Sequence, residues 1–320
     1  MLTGKIFGSE DGKKVYNLNI IGGNVMLKGS MPALVTPFKN NEIDYNSMEK
    51  LLNFHIENET DGMVLLGTTA ETPSLANDEK ESLLRFAVQR LKGKMPIIAG
   101  TGSNNLSHTV SATQKAENLG VEYALVVTPY YNKPNQEGLY LYYKEIVKQT
   151  NLPIIIYNVP SRTGCNISAE TVVKLANEFP KRIIAVKEAS GDLVKASKIV
   201  RDTPETFSLL SGEDALNFPL MCVGGKGAIS VTANVVPRQM HQMITYASSG
   251  DCDKSLKLHQ SMIELNDIMF LDTNPIPVKS VLHHIGLIEI AYRLPLCETT
   301  PDKQTRILSV YDRFITNFSL

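Results

Sequence analysis

Lys187 closes a short apolar run, Arg182-Ile-Ile-Ala-Val-Lys187-Glu-Ala-Ser-Gly191. A run of Ile, Ala and Val ended by Gly has the composition of a strand buried on both faces. Burial penalises a charged amine, and the neutral form that desolvation favours can attack a ketone. The plainer alternative is a lysine whose stem lies along the strand while its head reaches water. Tyr157 closes a similar run, Pro153 to Tyr157, where a phenol can carry protons to and from an amine or a carbinol. A core tyrosine with a satisfied hydroxyl would look the same. Arg162, in the turn Pro-Ser-Arg-Thr-Gly, offers a two-pronged donor to a carboxylate, or is an ordinary loop arginine. Thr68 and Thr69 stand where a loop turns toward a helix expected to begin near Pro73. Two hydroxyls and nearby backbone N–H groups suit a carboxylate, although the same pair would serve equally as helix caps.

The segments between these residues have to bring them together. From Gly29 onward, short apolar runs recur at Met31 to Thr36, Met63 to Leu66, Pro96 to Ala99, Tyr123 to Thr128, Pro153 to Tyr157, Ile183 to Lys187, Phe207 to Leu210 and Gly227 to Val231. Amphipathic segments such as Ser47 to Asn58 and Asp78 to Leu91 lie between them, with apolar residues at helical spacing. Eight β-α units in succession predict an α/β fold of parallel strands. That number favours closure into a (β/α)8 TIM barrel over an open doubly wound sheet, which alternation alone leaves open. In a barrel, chemistry gathers at the carboxyl ends of the strands. The hydroxyls of Thr68 and Thr69, two tyrosines in Thr128-Pro-Tyr-Tyr-Asn, Tyr157, Arg162 and Lys187 all fall there.

The expected organisation has three parts. Residues 1–28 form an N-terminal arm with one apolar patch, Val15 to Ile21, that suits a short strand; residues 29–250 form the barrel; residues 251–320 form a helical appendage. Helices are expected there over Lys254 to Phe270, Val278 to Leu282 and Lys303 to Phe318, separated by Asn274-Pro-Ile-Pro and Leu294-Pro.

Composition narrows the chemistry. With 32 basic and 33 acidic residues the formal charge is -1, and no long basic block exists, which points to small solutes over nucleic acid or an anionic membrane. No apolar stretch is long enough to span a bilayer and no signal-type apolar region opens the chain. Cys165, Cys222, Cys252 and Cys297 are scattered without paired spacing, as expected of free thiols in a cytoplasmic protein. No H-E-x-x-H occurs, and the adjacent pair His283-His284 does not make a zinc site. Gly224-Gly-Lys-Gly fails the phosphate-loop spacing, Gly100-x-Gly lacks the third glycine of a dinucleotide fingerprint, and no G-x-S-x-G elbow is present. Amine chemistry remains.

The motifs also resemble a known family. Gly67-Thr-Thr-Ala-Glu, Val127-Thr-Pro-Tyr-Tyr-Asn-Lys-Pro, Tyr157-Asn-Val-Pro-Ser-Arg-Thr-Gly-Cys, Val186-Lys-Glu-Ala-Ser-Gly, Leu210-Ser-Gly-Glu-Asp, Gly227-Ala-Ile-Ser-Val-Thr-Ala-Asn and Asn274-Pro-Ile-Pro-Val-Lys are similar, in order, to the 4-hydroxy-tetrahydrodipicolinate (dihydrodipicolinate) synthases. Ala70 departs from the glycine usual there. The resemblance implies that Lys187 forms a Schiff base with pyruvate, which then adds as an enamine to L-aspartate 4-semialdehyde. It gives Thr69 the pyruvate carboxylate, Arg162 the second carboxylate, and a proton relay to Tyr157, Thr68 and Tyr131. The backbone carbonyl of Ile229 is implied near the Lys187 amine. No metal or organic cofactor is implied. A homotetramer of two tight dimers is, with Tyr131 crossing between subunits and Tyr130 in that interface. Lys80 and His108 occupy positions where lysine-inhibited relatives offer a histidine and a glutamate, which implies weak or absent inhibition by L-lysine. The lysine and the threonine pair are shared with other pyruvate aldolases such as N-acetylneuraminate lyase, the competing enzyme. A barrel that binds a small ligand without catalysis is the competing reading of another class.

Overall fold

The computed structural model describes residues 26–318, together with the backbone of two short strands, Ile20–Ile21 and Asn24–Val25, that pair antiparallel. The strand expected over Val15 to Ile21 lies for the most part outside the described residues, as does most of the N-terminal arm. Eight strands form one sheet: β1 Gly29–Pro32, β2 Met63–Leu65, β3 Ile97–Gly100, β4 Tyr123–Val127, β5 Ile154–Asn158, β6 Ile183–Glu188, β7 Ser208–Ser211 and β8 Gly227–Ser230. Consecutive strands pair in parallel from β2 through β8, and β8 returns to β1. The remaining seam is held by a bridge between Ala33 and Val64 and by the Leu34 N–H donating to the Val64 carbonyl at 2.9 Å. The barrel therefore closes, and the open-sheet alternative falls.

Each strand is followed by a helix: α1 Tyr45–Glu57, α2 Asn77–Leu91, α3 Leu106–Leu119, α4 Gln136–Gln149, α5 Ala169–Glu178, α6 Leu193–Asp202, α7 Asn217–Cys222 and α8 Pro237–Ser248. Short polar side chains start several of them. Asp44, Asn105, Asn135, Ser168 and Asp192 each accept a backbone N–H of the first turn. The first strand is shorter than its apolar run. Pairing continues only to Leu34, because the Val35 N–H turns to the Asn234 side chain at 3.2 Å.

Two apolar layers result. Period-two alternation sends Met31, Val64, Ile98, Leu125, Ile155, Ala185, Leu210 and Ile229 to the barrel interior, with Leu27 packed against them. The opposite faces pack on the helices in one continuous layer that includes Leu51, Leu83, Ala116, Ile146, Val172 and Ile199. Fully burying an aliphatic side chain of this size contributes roughly 1.5–3 kcal/mol. After α8, helices α9 Cys252–Ile268, α10 Ile276–His284 and α11 Pro301–Phe318 follow, each extending beyond its expected span at one end or both. Helix α9 packs on α8, and α11 packs on both α9 and α10.

One core residue predicts a pH dependence. His55 on α1 is fully buried, its Nδ1 paired with Thr60 Oγ1 at 3.1 Å, and burial lowers its pKa from 6.5 to about 3. The unfolded chain thus takes up a proton first as pH falls. The stabilisation is whole above about pH 6.5 and is lost toward pH 3 at about 1.4 kcal/mol per pH unit. Between pH 7 and 5 the loss from this residue should be roughly 2 kcal/mol. Urea midpoints at the two pH values, compared with those of His55→Asn, measure it; an unchanged slope in the variant counts against the assignment.

Candidate active site

Lys187 and Tyr157 are paired across β6 and β5, and alternation turns both side chains into the barrel mouth. Lys187 is 5% exposed and its Nζ lies 4.3 Å from the centroid of the Tyr157 ring. The side chain is therefore almost wholly enclosed. Among the described residues its amine makes no hydrogen bond or ion pair. Space for the lysine stem comes from Gly212, where an added Cβ would stand 2.9 Å from Lys187 Cε and 2.8 Å from Ala189 Cβ. Beside it, Glu213 has its pKa raised by burial and by the Asp214 and Asp267 carboxylates, with Lys187 opposing.

On the outer face, the neighbours of Lys187 and Tyr157 in sequence fix the strand ends. Glu188 accepts from Asn158 Nδ2 at 3.0 and 3.1 Å and from the Ser190 N–H at 2.8 Å, and pairs with Lys195 at 3.0 Å. Asp214 does the same for the end of β8, accepting the N–H groups of Val231 and Thr232 at 2.9 Å each. Ile229, one strand position earlier than Ser230, is buried in the interior layer.

Thr68 and Thr69 are not caps of a long helix. They form a single 3-10 turn, Thr68–Ala70, followed by a second, Thr72–Ser74, and α2 begins only at Asn77 with Ala76 ahead of it. The expected start near Pro73 fails because Glu71 between the two turns is left-handed, with φ 54°, and Leu75 after them is extended. Leu66 is also left-handed at φ 54°. The stretch from Leu66 to Glu71 is thus bent twice at non-glycine residues, a strain of roughly 1–2 kcal/mol at each. Three side-chain hydrogen bonds hold residues 67–70 of it. Thr36 Oγ1 donates to the Ala70 carbonyl, and Thr72 Oγ1 to the Gly67 carbonyl, both at 2.8 Å. Asn274 Nδ2 donates to Thr69 Oγ1 at 3.0 Å. Since the Thr69 oxygen accepts there, its own O–H stays available to donate to an anion.

Asn274 is the residue that sequence reasoning missed. Its backbone carbonyl receives Arg162 Nη2 at 3.4 Å, so one residue joins the Arg162 guanidinium to the Thr69 hydroxyl. It is buried, and its Oδ1 has no partner among the described residues. In sequence it separated helices and opened the family-like run Asn274-Pro-Ile-Pro-Val-Lys without a role of its own; that run was the available signal. Arg162 itself is exposed, on a one-turn helix Pro160–Thr163. Tyr131 stands apart from this group: it is 90% exposed, at φ 70°. Lys80 is half-buried in the first turn of α2, where burial lowers its pKa, and His108 is exposed on α3. Among the described residues no cluster of three or more His, Cys, Asp or Glu is placed to hold a metal ion, and no helix is long and apolar enough to cross a membrane.

Residues 26–312 match the model of the dihydrodipicolinate synthetase family. The chain belongs to that family. Among its relatives, the 4-hydroxy-tetrahydrodipicolinate synthase of Thermodesulfovibrio yellowstonii is 46% identical over 285 residues, covering 89% of this chain and 97% of the relative. That of Aquifex aeolicus is 43% identical, covering 90% and 98%. The crystal structure of dihydrodipicolinate synthase from Aquifex aeolicus superposes with a TM-score of 0.88 at 42% identity, covering 90% of this chain and 98% of that one. The Thermotoga maritima synthase gives a TM-score of 0.89 at 40% identity, covering 90% and 99%. As a dihydrodipicolinate synthetase family member the chain is a TIM-barrel enzyme of the aldolase type, and the competing reading as a non-catalytic barrel falls.

Proposed function

We propose that the protein condenses pyruvate with L-aspartate 4-semialdehyde, as a 4-hydroxy-tetrahydrodipicolinate synthase in the diaminopimelate route to lysine. The observation that carries this, within its family, is the Lys187 side chain, enclosed in the barrel with its amine unpaired over the Tyr157 ring. Attack of that amine on the pyruvate ketone and loss of water form a Schiff base, an electron sink. The methyl carbon then gives up a proton, and the resulting enamine forms a carbon–carbon bond with the aldehyde. The amino group of the semialdehyde attacks the imine carbon, closes the ring and expels Lys187 as a free amine. Tyr157 and Thr68 take and return the protons, with Tyr131 of a neighbouring subunit completing the relay in a cytoplasmic homotetramer. Thr69 donates to the pyruvate carboxylate, and Ile229 faces the amine through its carbonyl. Arg162 orients the second carboxylate, a role that another pyruvate aldolase would leave it without.

Borohydride reduction in the presence of pyruvate tests the first half of this reading. A reduced pyruvate adduct on the Lys187 peptide is expected, and adducts elsewhere or nowhere would overturn the assignment. Assay with the semialdehyde and with N-acetylneuraminate then separates the aldolases. Arg162→Ala should raise the KM for the semialdehyde about tenfold and leave that for pyruvate nearly unchanged. An exposed guanidinium sits at the lower end of the roughly 1.5–3 kcal/mol for a hydrogen bond to a charged group. A collapse of pyruvate affinity instead would mean that the two carboxylate sites are exchanged.

A further inference from the structure

Glu71 ends the Gly67-Thr-Thr-Ala-Glu turn, and no step of the reaction uses it. Its backbone is left-handed, with φ 54° and ψ 34°, where one 3-10 turn gives way to the next. A glutamate holds that conformation only when its surroundings compensate. Here the carboxylate is buried, pairs with the Lys279 ammonium of α10, and accepts the Arg293 N–H at 3.2 Å. Lys279 is itself fully buried; its Nζ also donates to the Ala291 carbonyl at 2.8 Å and lies 4.4 Å from the centroid of the Phe38 ring. Arg293 holds the other end of the same segment. Its guanidinium forks onto Glu79 at 2.7 and 2.6 Å and donates to the Ser74 carbonyl at 3.1 Å. Two acids and two cations thus clamp the segment from Glu71 to Glu79 onto the chain that follows the barrel.

A buried ion pair adds little net stability, because both charges leave water to form it. Its distinctive product is position. We propose that Glu71, held by Lys279, is a positioning residue for the carboxylate site: it sets the bent turn so that the Thr68 and Thr69 hydroxyls face the barrel mouth. The inference rests on the reading that Thr69 holds the pyruvate carboxylate. Through this pair the C-terminal helices act on substrate binding without touching substrate.

Glu71→Gln alone would strand the Lys279 ammonium in the core, so the informative variant is Glu71→Gln with Lys279→Met, which removes both charges at similar volume. It should fold with a thermal midpoint near that of the parent. Its KM for pyruvate should rise about tenfold while that for the semialdehyde stays within about twofold, the pattern of lost binding at one substrate only. Borohydride trapping at saturating pyruvate should still reach Lys187. Glu71→Asp, which keeps the charge and shortens the reach, should show the same split even if the double variant does not fold. A folded variant with an unchanged pyruvate KM, or with both KM values raised together, overturns the inference. Trapping on the parent is read first. Its failure removes the site reading and this inference with it, whereas trapping with unsplit KM values removes this inference alone.

Discussion

Lys187→Ala should lower turnover on the order of 10^4-fold or more while leaving the protein folded. The loss is large because the proposed role of the lysine is a covalent electron sink, and groups that act as one unit are not replaced by their neighbours. Lys195 is the nearest buried lysine in sequence, but it is on the outer face of the barrel wall, bonded to Glu188 and to Asn166. It cannot substitute. Stability should hold, since the amine makes no protein hydrogen bond whose partner would be orphaned. Turnover within about a hundredfold of the parent, with an unchanged circular dichroism spectrum, would refute the Schiff-base role.

Gly100→Ala should damage both the fold and the carboxylate site. A Cβ at Gly100 would fall 2.0 Å from the Leu66 carbonyl oxygen and 2.7 Å from its carbon, so backbone has to move. Leu66 is where the first left-handed bend brings the chain into the threonine turn. Overpacking of this kind costs about 1–3 kcal/mol or more, and the displacement should raise the pyruvate KM about tenfold. Gly93→Ala is the control. Gly93, unlike Gly100, is left-handed, at φ 76°, and an added Cβ there meets nothing within 4 Å. It should lower the thermal midpoint modestly and leave both KM values alone. Thermal scans and initial rates on the two variants decide it; equal effects on pyruvate KM would sink the close-approach argument.

These two variants separate what each part of the barrel contributes. In the proposed mechanism the lysine reacts from inside a regular strand, where burial and orientation follow from the apolar run itself. The threonine turn, proposed to bind, is an irregular loop whose shape depends on close backbone approach and on side chains from elsewhere in the chain.

What was legible in the sequence follows the same division. Eight apolar runs spaced by amphipathic segments determined the parallel β-α units, because strands buried on both faces need an unbroken apolar composition and their crossovers need helices, while the bridge between Ala33 and Val64 decided for a barrel over an open sheet. Period-two alternation determined that Lys187 and Tyr157 share the interior while Glu188 and Asn158 face outward. The sequence also carried the motif that marks the family. Local pattern did not reveal how the threonine turn is shaped. Thr68 and Thr69 read as possible helix caps, yet Glu71 breaks the helix and delays it to Asn77. The partners that make this bend stable, Asn274 for Thr69 and Lys279 for Glu71, are 205 and 208 residues away. Periodicity reports which face of an element is buried, from neighbours a few residues apart. It carries no information about which distant polar groups meet, and only closure of the barrel and docking of the C-terminal helices decided that.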